Sequence, residues 1–430
     1  MASIHIKTYG CAFNQAESES MAGLLAYAGH QIVDTEQDAE LVIINSCTVK
    51  GKAEAKLFED LRKLGAKGKR VVVAGCVPQA EQSYVTTKLA QYSIVGTKSI
   101  SKITYAVDET LHGNRVVFLI PDVDNPRLNL PKIRRNPLVE IIPINEGCLS
   151  RCAFCKTKQA RGNLLSYDPQ AILQHARSAI ADGVQELWLT SQDTATYGFD
   201  IKTNIAELLV HLCALDGDFM IRVGMGNPTY YLKQLKPLIK AFQHPKVYKF
   251  LHVPIQAGDD DVLKEMHRGY TVAQFFKIID AFRAAIPGIT IATDVIVGYP
   301  TESEVQFKNT LKVVEQLQPD VCNISRYWRR PGTPAAALPE LSPQVVKRRT
   351  KELTECFKRI SAQRNRQWIG WQGEILINEE GKAGTGTWVG RNPTYKPIVL
   401  KGNYCIGDRV QVEIEKATVW DLRATAQASR

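Results

Sequence analysis

No stretch of this sequence approaches the ~18 consecutive apolar residues that span a bilayer, so no membrane segment and no membrane partner are expected. Residues 1–10, Met-Ala-Ser-Ile-His-Ile-Lys-Thr-Tyr-Gly, alternate like a strand and lack the apolar core of a secretory leader, which points to a cytoplasmic protein. Ten cysteines in such a chain argue against a disulfide framework and for metal binding or catalysis. Acidic residues are outnumbered, leaving a net charge of +10, so a polyanionic partner is more natural than a basic one. An apolar share of 44% over 430 residues is that of an ordinary globular chain long enough for two or three domains.

The most informative stretch is Glu146-Gly147-Cys148-Leu149-Ser150-Arg151-Cys152-Ala153-Phe154-Cys155-Lys156-Thr157-Lys158, which follows the apolar run 139–144. Three thiols stand in a CxxxCxxC spacing, and no histidine or fourth cysteine is near: Cys76 and His175 are the nearest candidates. A structural zinc site takes four ligands. A four-iron cluster held by only three thiolates keeps one iron open to another ligand. Two plainer readings stay open on spacing alone: a zinc knuckle finished by a distant ligand, and three buried apolar cysteines.

This spacing after a strand resembles the radical S-adenosylmethionine (AdoMet) enzymes, whose open iron binds the methionyl part of AdoMet before its reductive cleavage. The longer string from Cys148 to Gly162 is similar to the methylthiotransferases, and Cys155-Lys156-Thr157-Lys158 resembles their archaeal and eukaryotic tRNA branch. The resemblance implies that Cys148, Cys152 and Cys155 are the catalytic cluster ligands.

In residues 1–120, apolar runs at 4–6, 41–44, 71–73 and 93–95 alternate with helical stretches at 16–28 and 54–64, the pattern of a small α/β domain with a parallel sheet. Cys11, Cys47 and Cys76 each follow one of the first three strands. Parallel strands end on one edge of their sheet, so three scattered thiols can converge there as a second metal site. The Thr-Tyr-Gly-Cys, Cys-Thr-Val-Lys and Gly-Cys segments resemble the amino-terminal methylthiotransferase domain, which implies an auxiliary four-iron cluster on Cys11, Cys47 and Cys76. The family's usual Asp-Ser-Glu is replaced by Glu17-Ser18-Glu19, which keeps a carboxylate.

Residues 121–137, rich in proline and carrying four basic residues, read as an interdomain linker that helps fill one side of an RNA cleft. From 138 to 366, strand-like runs at 139–144, 186–190, 219–223, 249–255, 289–297 and 321–326 alternate with helices. Six such repeats suggest an incomplete barrel with its chemistry at the strand carboxyl ends. Periodicity alone also accommodates a full barrel or a doubly wound sheet; the resemblance implies the partial (β/α)6 barrel. It also implies that Gln192, Asp193, Gln256 and Asp294, in strand-end motifs, are polar contacts to AdoMet or substrate. Ala257 stands where the family usually has serine, so a hydroxyl contact is lost there. Cys213, Cys322 and Cys356 sit in apolar patterns as buried bystanders.

Charge is concentrated late: residues 326–366 hold eleven Lys or Arg against three Glu. Arg326, Tyr327, Trp328, Arg329 and Arg330 combine aromatic stacking with phosphate-pairing cations, and Lys347, Arg348 and Arg349 extend the basic surface, with a solvated helix face as the plainer reading of the latter. Residues 367–430 break into short strands separated by glycine-rich turns, which suggests a small β-barrel. It resembles the RNA-binding TRAM domain, and the segment 390–396 matches that domain's signature, adding Arg391 and Tyr395 to the RNA candidates.

Taken together, the resemblance implies a tRNA methylthiotransferase using two [4Fe-4S] clusters and AdoMet. Its substrate would be the anticodon loop, at C2 of N6-threonylcarbamoyladenosine 37. It further implies a low-potential electron donor of ferredoxin or flavodoxin type and a sulfur donor. Isopentenyladenosine tRNA and a ribosomal-protein aspartate are the other substrates known for the class, and a non-catalytic iron–sulfur or zinc RNA-binding protein is the alternative outside it.

Overall fold

The computed structural model describes residues 1–48, 51–120 and 128–427. Asp122, Asn125 and Pro126 of the expected linker, with Val49 and Lys50 of the Cys47 segment, lie outside the described residues. The amino-terminal unit is a six-stranded, wholly parallel sheet in the order β2-β1-β3-β4-β5-β6. Its strands are β1 (Ser3–Thr8), β2 (Gln31–Ile32), β3 (Leu41–Ser46), β4 (Arg70–Gly75), β5 (Ser93–Gly96) and β6 (Val117–Phe118). Every residue of β3 is buried, as expected of a central parallel strand covered on both faces. The expected strands are present; β2 and β6 are two-residue edge strands too short to give a periodic signal. Helices α1 (Ala12–Tyr27), α2 (Gly51–Ala66), α3 (Cys76–Ala80), α4 (Gln82–Thr86) and α5 (Ile103–Leu111) connect them.

The central unit contains the six expected parallel strands in two sheets. One is β7 (Val139–Pro143), β10 (Glu186–Thr190) and β11 (Met220–Val223); the other is β12 (Phe250–His252), β13 (Thr290–Val297) and β14 (Val321–Arg326). A backbone bridge between Ile221 and Val247 joins the two, so the strands form one open, incomplete barrel. A short antiparallel pair, β8 (Asn145–Glu146) with β9 (Leu165–Ser166), frames the cysteine loop and the helix α6 (Thr157–Arg161). The outer helices start on sequence-encoded caps: Asp168 accepts from Ala171 N at 3.0 Å, and capping boxes pair Thr271 with Gln274 and Ser303 with Gln306.

In the described part of the linker, Lys132 and Arg134 turn inward while Arg135 stays exposed. Glu140, fully buried on β7, receives Lys132, Arg134 Nε at 2.6 Å and His175 Nε2 at 2.9 Å, so these two linker cations are engaged with the protein. Burial would raise the Glu140 carboxyl, but His175 and Lys132 outweigh it and hold the group at about 2. A depressed carboxyl adds stability that is present above its unfolded value and lost as pH falls through the folded one. The shift from 4.5 to about 2 corresponds to about 3 kcal/mol. Glu140→Gln is therefore expected to lower the thermal midpoint at neutral pH and to flatten its fall between pH 5 and 2; a parallel acid profile in the variant would refute this.

After the helix 343–366, the chain closes a five-stranded barrel in the order β15-β16-β17-β19-β18. Its strands are β15 (Gln372–Glu380), β16 (Thr387–Arg391), β17 (Pro397–Lys401), β18 (Arg409–Ala417) and β19 (Leu422–Ala426). The sequence pattern shows four of these. The fifth, Leu-Arg-Ala-Thr-Ala, has too little apolar alternation to stand out, yet it closes the ring between β17 and β18. No helix among the described residues is long and apolar enough to cross a membrane.

Candidate active site between two thiol loops

The three amino-terminal thiols meet at the carboxyl edge of their sheet because each strand delivers one. Cys11 caps α1, Cys47 follows β3, and Cys76 opens α3. Asn14 ties two of them together: Cys11 Sγ lies 3.4 Å from Asn14 Oδ1, and Asn14 Nδ2 lies 3.9 Å from Cys76 Sγ. Cys47 packs on Gly10, where a Cβ would come within 2.9 Å of its sulfur and the backbone has φ +119°. Only glycine permits both that approach and that conformation.

The second triad lies on the loop between β8 and β9. Gly147 opens it at φ +72°, and a Cβ there would overlap the Asn163 carbonyl. Gln192, at the end of β10, accepts from Gly147 N at 2.8 Å, and Cys148 N donates to Gly162 O at 3.3 Å. Lys158 Nζ donates to Cys148 O at 2.7 Å. Burial, with a smaller push from the Asp193 charge, raises the Cys148 thiol to about 12, so ligation rather than free ionisation must supply the thiolate.

One observation fits this loop to an anionic group larger than the thiols themselves, and a second leaves an acceptor there for a hydrogen-bond donor. Arg268 is buried with Nη1 3.1 Å from Cys152 Sγ, and among the described residues no carboxylate lies within 4 Å of it. A buried guanidinium is costly unless a negative group compensates it. Asp193 is likewise buried: Oδ1 accepts from Asn227 N at 2.9 Å and Ala195 N at 3.2 Å, while Oδ2 has no partner among the described residues. Burial raises its carboxyl to about 6. Among the described residues no three Cys, His, Asp or Glu side chains close on a single metal-ion position.

The strand-end residues expected to touch AdoMet or substrate divide into those that hold the cysteine loop and those fixed on the neighbouring strand ends. Gln192 and Asp193 hold loop backbone, as described. Gln256 sits at φ +71° and is fixed by backbone hydrogen bonds to Asp294 and Ile296. Asp294 is half-buried and receives His252 Nε2 at 3.0 Å and Asn323 Nδ2 at 2.7 Å. Ala257 is fully buried, and Cys213, Cys322 and Cys356 are buried as expected. Sequence reading missed Arg268, His252 and Asn227, which are single polar residues in loops or strand ends with no spacing to mark them.

Several residues expected to bind RNA are turned inward. Arg330 is buried between the domains, pairing with Glu54 at 3.3 Å, and Arg349 is buried against Glu302 at 2.9 Å and Glu304 at 3.1 Å. Arg391 pairs with Glu379 at 2.9 Å and stacks on Tyr395. Tyr395 is wedged among Trp188, Tyr248 and Phe250, fixing the β-barrel to the strands of the central unit, and Lys396 reinforces this through Asp320 at 2.8 Å. Domain packing overrode the exposure that the sequence suggested. Arg348 is exposed but engaged by Glu304 at 2.6 Å. Tyr327 is half-buried, edge-on to Tyr299. Arg326, Trp328, Arg329 and Lys347 are exposed, and among the described residues none of these three cations has a carboxylate within 4 Å.

The two groups separate experimentally. Tyr395→Ala is expected to lower stability by about 3 kcal/mol or more in urea unfolding. Trp328→Ala, at a position 54% exposed, should leave the thermal midpoint unchanged while weakening tRNA binding by about 1–3 kcal/mol.

An incomplete parallel barrel with a three-thiol loop after its first strand defines the radical SAM class. Residues 142–314 match the Radical SAM superfamily, residues 3–96 match the Uncharacterized protein family UPF0004, and residues 369–426 match the TRAM domain. A solved radical S-adenosylmethionine methyltransferase, TsrM from Kitasatospora setae, shares the fold with a TM-score of 0.55 at 14% identity, covering 78% of this chain and 75% of that one. The chain belongs to the threonylcarbamoyladenosine tRNA methylthiotransferase family. It is 42% identical to the probable threonylcarbamoyladenosine tRNA methylthiotransferase of Pyrococcus horikoshii over 93% of this chain and 94% of the relative. It is also 42% identical to the threonylcarbamoyladenosine tRNA methylthiotransferase of Homo sapiens, over 96% of this chain and 72% of that protein.

Proposed function

We propose that this protein converts the C2–H of N6-threonylcarbamoyladenosine 37 in tRNA to C2–SCH3, using AdoMet, one iron–sulfur cluster on Cys148, Cys152 and Cys155 and a second on Cys11, Cys47 and Cys76. The observation that carries this reading is the apposition of the three-thiol loop and the three strand-end thiols across one domain seam, where Arg161, six residues after Cys155, reaches Cys76 Sγ at 3.3 Å. When bound, the first cluster and AdoMet supply the one-electron chemistry that an unactivated aromatic C–H requires and that acids and bases do not provide.

The chain's own residues hold and orient. Gln192 and Lys158 fix the loop that presents Cys148, through Gly147 N and Cys148 O. Arg268 orients Cys152 and supplies positive charge beside it. Asn227, fixed by Asp193, reaches Ser150 Oγ at 3.2 Å and so supports the same loop from β11. Trp328 offers a stacking face for a base, with Arg326, Arg329 and Lys347 available to phosphates. The substrate base must leave its stack to reach the thiol loops. A low-potential electron donor of ferredoxin or flavodoxin type and a sulfur donor complete the cycle.

Reconstituted protein supplied with AdoMet, sulfide and dithionite should methylthiolate a synthetic anticodon stem-loop carrying N6-threonylcarbamoyladenosine and leave one carrying isopentenyladenosine unchanged. Preference for the second stem-loop would overturn the substrate assignment.

A further inference from the structure

Arg161 and Glu17 form a buried ion pair that no step above uses. Arg161 is 1% exposed and Glu17 4%, and they come from different domains, on α6 and α1. Arg161 Nη2 donates to Glu17 Oε2 at 2.8 Å, Nη1 donates to Glu17 Oε1, and the guanidinium stacks on Phe13 with its central carbon 4.5 Å from the ring centre. The same Nη2 lies 3.3 Å from Cys76 Sγ. A residue of one thiol loop thus donates a charged hydrogen bond to a sulfur of the other triad, with a carboxylate directly behind it. The other triad has the corresponding arginine without the carboxylate: Arg268 approaches Cys152 Sγ at 3.1 Å, with no ion-pair partner among the described residues.

The reduction potential of an iron–sulfur cluster follows its net charge, the hydrogen bonds to its sulfurs and its exposure to solvent. Reduction makes a cluster more negative, so a cation donating to a ligand sulfur favours the reduced form. A carboxylate that neutralises that cation opposes it. We infer that Glu17 and Arg161 are a positioning pair that sets the reduction potential of the cluster held by Cys11, Cys47 and Cys76, Arg161 raising it and Glu17 restraining that rise. This rests on the reading that the amino-terminal triad holds a cluster. Glu17 is the counter-ion of Arg161 in this arrangement.

The test is a potentiometric titration, followed by electron paramagnetic resonance, of the anaerobically reconstituted full chain. Dithionite supplies one electron per cluster, taking [4Fe-4S]2+ to [4Fe-4S]+, and AdoMet identifies the Cys148 cluster by perturbing its signal alone. In Glu17→Gln the equilibrium constant for electron uptake at the other cluster should rise at least tenfold, 59 mV for a one-electron couple. In Arg161→Gln it should fall at least tenfold, with Arg161→Lys between that variant and the wild type. A merely structural pair would move both substitutions the same way or not at all, and either result with iron content intact overturns the inference. If Arg161→Gln loses its iron, the sign in Glu17→Gln decides: a fall or no change overturns the proposal. A wild-type protein without the second signal removes the two-cluster reading and this inference together, whereas a wild-type signal that the variants leave unmoved removes the inference alone.

Discussion

Cys148→Ala is expected to reduce AdoMet cleavage to the level of an enzyme-free control while leaving the fold intact. On the proposed reading three thiols are the protein ligand set of that site, so losing one removes a third of it. Cys148 is also the ligand whose backbone is held from both sides, by Gly162 O on its N–H and Lys158 Nζ on its C=O. The side chain itself carries little of the packing: it is half-buried at the mouth of the loop, and β8 and β9 close the loop by backbone pairing. A thermal midpoint within a few degrees of wild type, with cleavage abolished, is the expected pair of results. Cleavage above the control would remove the cluster assignment for Cys148, Cys152 and Cys155.

The second large effect differs in kind. Cys11→Ala should leave AdoMet cleavage running and abolish the methylthiolated nucleoside, uncoupling the two halves of the reaction. Cys11 is exposed and sits at the cap of α1, so the substitution opens no buried cavity; Asn14 Oδ1 loses its thiol contact at 3.4 Å and keeps the one to Cys76 Sγ at 4.0 Å. It belongs to a separate triad on a separate sheet edge, and its thiol meets Asn14. Quantifying deoxyadenosine and methylthiolated product in one reaction checks this. Product formation at the wild-type rate would remove the amino-terminal triad from the chemistry.

Both triads were legible because cysteine spacing and strand-end position survive without knowledge of packing. The six central strands were equally clear, since parallel strands covered by helices on their outer face read as continuous apolar runs. What stayed hidden depends on which charged residue meets which. Arg330, Arg349 and Arg391 look like surface cations in a basic stretch, and only the folded chain shows Glu54, Glu302, Glu304 and Glu379 waiting for them. Tyr395 reads as a stacking residue for RNA and is instead the wedge between barrel and core, because its cage is assembled from Trp188 on β10, Phe250 on β12 and Tyr248 just before β12, positions far apart in sequence. Arg268, the counter-ion of the catalytic loop, follows Cys152 by 116 positions. No local pattern announces such a pairing.

The most direct measurement is nucleoside mass spectrometry of total tRNA from cells with and without this gene. The account predicts that 2-methylthio-N6-threonylcarbamoyladenosine is lost on deletion while its unthiolated precursor accumulates, and that the Cys148→Ala gene fails to restore it. An unchanged nucleoside profile, or loss of a 2-methylthio derivative of isopentenyladenosine instead, would contradict it.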